Sequence, residues 1–386
     1  MRVLIFIENY LPGYRSGGPV RAISNIVEQL GDDILFKIVT RDRDCNDNVV
    51  YSDIIVNSWQ QVGKAKVLYL SPQHLSLSKI RTLMLETEYD AVYLNSFFSR
   101  YFSIRQQLLS MLHMIPKKPF IIAPRGELSS GALSLNVFRK SIYISLAKIV
   151  GLCRHVNWHA SSIFEVSDIM KCFGKEVRVK IVADLPTPVH FAEDSLKYRE
   201  KVVGRLKILF LSRITRMKNL SGALALLNGL NGDVEFNVYG PMRDTNYWKE
   251  CERIISCLPR NIKVKYCGEL SYKLVNSVMR DSDILFLPTL GENYGHVIIE
   301  SLCSGCPVLI SNRTPWRELK KKGVGWDLPL EEPEQFKLVL QQCIDMDTQS
   351  YRELSQGAYE YGLKCCQDEN LPRKYRELFY SATKGW

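Results

Sequence analysis

Short apolar runs recur along most of this chain, each followed by a loop and then a helix-length amphipathic segment. That alternation confines it to an α/β fold with a parallel sheet. The clearest instance is Asp283-Ile-Leu-Phe-Leu-Pro288, a buried strand by composition, followed by Thr-Leu-Gly-Glu-Asn-Tyr-Gly-His-Val-Ile-Ile-Glu300 and a second strand, Pro307-Val-Leu-Ile-Ser311. Between the strands the pattern predicts a loop and then about ten residues of helix closing at Gly305. Ligands of such sheets bind beyond the carboxyl ends of the strands, where this loop falls. Glu292 lies in the loop and Glu300 about two turns into the expected helix, with backbones about 12 Å apart if the segment is helical. The amides of Tyr294, Gly295 and His296 would open that helix, and free helix N-termini favour phosphate. An acid at each end of an anion site suits an elongated sugar–diphosphate–nucleoside.

With 386 residues the chain can build two cores. Strands are expected at 3–8, 34–40, 66–70, 91–95, 120–123, 156–159 and 177–182, with helices at 21–30, 75–86, 101–114, 137–150 and 162–173. The prolines of Leu185-Pro-Thr-Pro-Val-His190 and the polar stretch 191–204 read as a linker. The pattern then restarts, with strands at 207–211, 234–239, 262–266, 284–287 and 307–310. This predicts two doubly wound parallel-sheet domains, 1–190 and 191–386, with the functional cleft between them and a final helix at about 371–386.

Several strand ends carry more than a turn requires. Gly17-Gly18 before a helix is either a flexible turn or a place where backbone approaches a ligand, and no G-x-G-x-x-G accompanies it. Arg125 and Glu127 crowd one strand terminus, forming either a polar site or an ion pair on a solvated loop. Asn95 and His159 end two other strands; such a histidine is a ligand contact or a satisfied structural residue. Arg213 and Lys218 follow the strand at 207–211. A planar fork and a point charge together can neutralise a diphosphate.

The net charge of +10 is concentrated in residues 1–190, which hold 23 Lys/Arg against 16 Asp/Glu. Without any helix-turn-helix, zinc-finger or RNA-binding pattern, an anionic lipid or soluble ligand suits that charge better than nucleic acid. Eleven cysteines without a regular framework indicate a reducing compartment, and Cys303-Ser-Gly-Cys306 reads as helix-end packing rather than redox or zinc chemistry. Asp42-Arg-Asp44 and Asp281-Ser-Asp283 are weak metal candidates: a charged surface run, and the amino end of a strand. No signal peptide and no membrane-spanning run are expected, which points to the cytoplasm. A helix around 137–152 with Arg139, Lys140, Lys148 and nearby Arg154 either lies on an anionic membrane or packs on the core with a basic edge.

Glu292-x7-Glu300, with Arg213-x4-Lys218 and Gly17-Gly18 in the same order along the chain, resembles the retaining family 4 glycosyltransferases of GT-B fold. Pro124-Arg-Gly-Glu-Leu and Trp158-His-Ala-Ser-Ser are similar to the subset that builds bacterial surface polysaccharides such as O-antigen or capsule. The resemblance implies two Rossmann-like domains, acceptor on the first and nucleotide sugar on the second, and a final helix crossing back to the first domain. It implies Glu300 on the ribose hydroxyls, Glu292 on the donor sugar, and the amides of Tyr294, Gly295 and His296 at sugar and phosphate. Arg213 and Lys218 would stabilise the departing diphosphate. Gly18 would meet phosphate, and Gly17, Asn95, Arg125, Glu127 and His159 would line the acceptor side or cleft. It also implies transfer to a hydroxyl of a lipid-linked glycan, no divalent metal or other cofactor, no covalent nucleophile, and a location at the inner face of the membrane. Asn95 stands where many relatives have His. A nonhydrolysing sugar-nucleotide epimerase and a non-catalytic nucleotide-sugar-binding protein are the rival readings.

Overall fold

The computed structural model describes residues 1–13, 17–44, 47–134, 137–154, 156–187, 200–242 and 244–384, and the statements below concern those. The chain divides into a first unit, Met1–Pro186 with Glu369–Trp386, and a second, Thr187–Asp368. The division thus falls at Pro186/Thr187 rather than 190/191, and the last helix counts with the first unit. Most of the expected linker, 188–199, lies outside the described residues.

The first unit carries β1 (Arg2–Phe6), β2 (Leu35–Arg41), β3 (Trp59–Val62), β4 (Ala65–Leu70), β5 (Ala91–Leu94), β6 (Phe120–Ile122), β7 (Val156–Ala160) and β8 (Arg178–Ile181). Their spatial order is β3-β4-β2-β1-β5-β6-β7-β8, parallel except for β3 against β4. Alternation along β1 builds a core on each face. Leu4 and Phe6 join one cluster with Phe97 and Trp158, while Val3 and Ile5 join another. The second cluster is roofed by Gly18–Leu30 and by Asn370–Lys384, whose Tyr375, Leu378 and Phe379 are buried there. Phe379 meets Phe36 edge-on at 5.9 Å between ring centroids.

The second unit carries β9 (Arg205–Leu211), β10 (Asp233–Tyr239), β11 (Ile262–Tyr266), β12 (Ile284–Leu287), β13 (Val308–Ser311) and β14 (Gly325–Leu328). They form an all-parallel sheet in the order β11-β10-β9-β12-β13-β14. Each unit is therefore doubly wound.

The sequence reading misses two strands. β3 is a half-exposed hairpin edge without an apolar run, and β14 is four residues, one Gly and one Asp among them. The expected helix at 101–114 begins instead as one π-helical turn, Arg100–Ile104, before α-helix over Arg105–Met111. Among the described residues no helix is long and apolar enough to cross a membrane.

Candidate active site

In the second unit, strand order reverses between the neighbours β9 and β12. Loops leaving the carboxyl ends of two such strands flank the crevice where α/β sheets bind ligands. Here those loops are Ser212–Asn219 and Pro288–Gly295, and the backbone bolts them together. Met217 carbonyl accepts from the Leu290 N–H (2.9 Å) and the Thr289 hydroxyl (3.0 Å). Asn219, left-handed at φ 56°, donates its amide to the Pro288 carbonyl (2.9 Å). Ser311, ending β13, donates to the Thr289 carbonyl (2.5 Å).

That bolting brings Lys218 Nζ onto Glu292 Oε2, in an ion pair whose side chains are only 11% and 16% exposed. The resemblance assigns Lys218 to the diphosphate and Glu292 to the donor sugar; the structure puts the two side chains side by side. Arg213 stands exposed on the β9 loop. Its backbone is set from β10, because the Ile214 N–H donates to the Pro241 carbonyl (3.0 Å). Gly240, at φ 136°, lies so close that a Cβ would overlap the Ser212 carbonyl. The sequence reading passes over Gly240, although a Gly-Pro directly after a strand was a visible signal.

The helix carrying Glu300 spans His296–Cys303. It starts later than expected, so Glu300 lies a little over one turn in, not two. Gly295 at the N-cap is left-handed (φ 82°, ψ 62°) and, as a glycine, brings no side chain of its own to the amides that follow. A Cβ there would come within 2.8 Å of Ile298 Cδ1 and 3.0 Å of Glu292 Cγ, so this glycine lets the loop close on the helix. Two residues outside the motif hold the loop. The Trp316 indole N–H donates to the Tyr294 carbonyl (2.6 Å), and the Glu292 N–H donates to the Arg313 carbonyl (3.0 Å). Tyr294 and His296 are buried with rings 4.9 Å apart. Trp316 and Arg313 follow β13 and had no local signal in the sequence.

In the first unit, Gly17 (φ 67°) leads into the helix Gly18–Leu30, and a side chain there would meet open space. Tyr14, Arg15 and Ser16 lie outside the described residues. Asn95, Arg125 and His159 form one buried network. Arg125 donates from Nε to Asn95 Oδ1 (2.7 Å), from Nη2 to the Tyr93 hydroxyl (2.8 Å), and pairs with Asp184 through Nη1. Burial opposes its charge, and Asp184 more than offsets that. His159 is fully buried, with Nε2 on the Val182 carbonyl (2.8 Å) and Nδ1 on the Tyr93 hydroxyl (2.7 Å). Only a donor can face a carbonyl, so the ring is the neutral Nε2–H tautomer, accepting from Tyr93. Burial first, then Arg125, lowers its pKa to about 4. With both nitrogens engaged, His159 does not reach a ligand directly.

Glu127 turns away from Arg125. It accepts from the Ser96 hydroxyl (2.7 Å) and the amides of Phe97 (2.6 Å) and Phe98 (3.1 Å), and burial raises its pKa. The solvated Arg125–Glu127 pair is therefore corrected: each is at least partly buried, with partners of its own.

Residues 193–361 match the model of Glycosyl transferases group 1. The protein is a glycosyltransferase. Over 326 residues it is 22% identical to a phosphatidyl-myo-inositol mannosyltransferase of Mycobacterium leprae, covering 80% of this chain and 78% of that one. Its structure resembles Anabaena HepE, solved with UDP and glucose, at TM-score 0.70 and 16% identity over 99% of this chain and 100% of that one. It also resembles WaaG, a glycosyltransferase involved in lipopolysaccharide biosynthesis, at TM-score 0.66 and 14% identity over 98% and 99%. This glycosyltransferase thus has the GT-B fold, two parallel-sheet α/β domains.

Proposed function

We propose that the protein transfers a sugar, with retention, from a nucleotide diphosphate sugar to a hydroxyl of a lipid-linked glycan in surface polysaccharide (O-antigen or capsule) biosynthesis, at the cytoplasmic membrane face. The observation that carries this is the Lys218–Glu292 pair at the β9/β12 switch point, beside the amino end of the helix His296–Cys303. Lys218 and Arg213 meet the charge that grows on the departing diphosphate. Glu292, which Lys218 orients, accepts from the sugar hydroxyls, and Glu300 accepts from the ribose. The amides at 294–296 supply fixed dipoles at the anion. Two cations in this role leave no step that needs a divalent metal, so chelation with EDTA is expected to leave the rate unchanged. The UDP and glucose held by HepE support the donor class, and the WaaG likeness supports the polysaccharide setting.

The helix Val137–Ile149 supports contact with an anionic membrane. Only Ile144 and Ala147 are buried, while Phe138 (79% exposed), Ile142, Leu146 and Ile149 (80%) form an outward apolar stripe beside Arg139 and Lys148. Lys140 does not belong to that outer face: its Nζ donates to the Ala132 carbonyl (2.5 Å) and lies 5.3 Å from the Phe98 ring.

Incubation with a panel of nucleotide sugars and lipid-linked acceptors tests the function. Glycosylated lipid is the expected product. Isomerised sugar nucleotide, or binding without turnover, would overturn the reading.

A further inference from the structure

The rule that locates the donor crevice in the second unit applies to the first as well, where strand order reverses between β1 and β5. Above the carboxyl ends of these strands three arginines gather on one aromatic ring. The guanidinium carbons of Arg41, Arg100 and Arg105 lie 5.3, 5.8 and 4.5 Å from the ring centroid of Tyr101. Arg41 ends β2, while Arg100, Tyr101 and Arg105 come from the π-helical turn after β5 and the residue that follows it. π-Turns are frequent at functional sites.

The charge at this ring is not balanced. Among the described residues Arg41 pairs with Glu8 (2.8 Å), and neither Arg100 nor Arg105 has a carboxylate within ion-pair distance. Arg41 Nε and Arg105 Nη1 are buried without a hydrogen-bond partner. Buried polar groups of this kind are rarely left unsatisfied. A neutral ring attracts cations to its face. It cancels no charge: burial lowers the pKa of Arg105, Tyr101 partly opposes that, and the neighbouring Arg100 adds to the lowering. With Glu8 set against Arg41, two positive charges remain. That excess matches a dianionic phosphoryl group or a diphosphate better than a single carboxylate.

We propose that Arg41, Arg100 and Arg105 around Tyr101 form a diphosphate-binding subsite on the first unit, which takes the anionic linkage of the acceptor. Its acceptor role rests on the glycosyl-transfer reading above; its ligand chemistry does not. The exposed Arg100 and the half-buried Arg41 and Arg105 would donate from the accessible edges of their guanidinium groups to phosphoryl oxygens, and Tyr101 would hold the guanidinium planes in place.

Calorimetry on the full chain with saturating UDP, which occupies the donor site, provides the test. The probes are citronellyl diphosphate, inorganic pyrophosphate and methyl glucuronide. Saturable binding of the diphosphates is expected, weakened about ten-fold or more in Arg105→Gln and in Arg100→Gln, whose side chain is exposed and whose loss leaves folding intact. Lys79→Gln, an equal change of charge on an exposed helix position, is expected to bind as the unaltered protein does. Tighter binding of citronellyl diphosphate than of pyrophosphate supports a lipid-borne group, and equal binding supports a soluble phosphorylated acceptor; both support the subsite. Absence of saturable diphosphate binding, equal affinity in both arginine variants, or methyl glucuronide binding as tightly would overturn it. A failure of UDP itself to bind would count against the donor reading, and pyrophosphate would still report on this site.

Discussion

Removing the Lys218 ammonium strands the Glu292 carboxylate, which is only 16% exposed, beside Ser212–Asn219. Truncating one partner of a buried pair costs about 3–5 kcal/mol, and the residual exposure here puts the expected loss at the low end. Lys218→Ala is expected to lower kcat by about 100-fold or more, the size of effect seen when one transition-state donor is lost. Steady-state kinetics on protein whose circular dichroism is unchanged would check this, and full activity would remove Lys218 from the mechanism. His159 makes a separate prediction. Its pKa of about 4 lies below the ordinary 6.5, so below pH 6.5 the unfolded chain takes up a proton that the native ring refuses. Stability is therefore fully present above pH 6.5 and falls as pH drops from there towards 4. His159→Gln, which keeps polar contacts to Tyr93 and Val182, should flatten that part of the profile in denaturant titrations; an unchanged slope would show that another group titrates.

At the scale of the element, the helix His296–Cys303 depends on Gly295. Alanine there meets a left-handed backbone costing about 1–2 kcal/mol for a non-glycine residue, and also Ile298 and the Glu292 stem. Gly295→Ala is expected to raise the Kd for UDP several-fold, because it displaces the loop that carries Glu292; an unaltered Kd would show that the loop does not touch the donor. The helix Val137–Ile149 is tested on liposomes. Phe138→Glu with Ile149→Glu, and separately Arg139→Glu with Lys148→Glu, should each reduce co-sedimentation with anionic vesicles and leave turnover of a soluble acceptor intact. Equal co-sedimentation of all three proteins would dismiss the membrane contact.

At the scale of the whole molecule, the first unit is completed by the far end of the chain. Tyr375, Leu378 and Phe379 close the core over β1 and β2, and the Tyr375 hydroxyl reaches Asp184 (3.5 Å). Phe379→Ala is expected to destabilise by about 3–5 kcal/mol, measured by denaturant unfolding; a change under 1 kcal/mol would mean that the helix is dispensable. The sequence alone determined the doubly wound architecture. Buried parallel strands demand continuous apolar runs such as Ile284–Leu287, and those runs are visible in one dimension. It also marked Lys218, Glu292 and Glu300, because they fall in the segments that follow strand carboxyl ends, where ligands of parallel sheets bind. β3 and β14 were not legible, since edge strands need little apolar surface. Nor were Gly240, Arg313 and Trp316, which act on the site through backbone contacts from distant segments. Only the tertiary structure decided that Lys218 and Glu292 form one pair, that Arg125 and Glu127 do not, and that three arginines share Tyr101. Side-chain partners follow from which strand ends become neighbours, and the strand order of a sheet is a property of the packed chain.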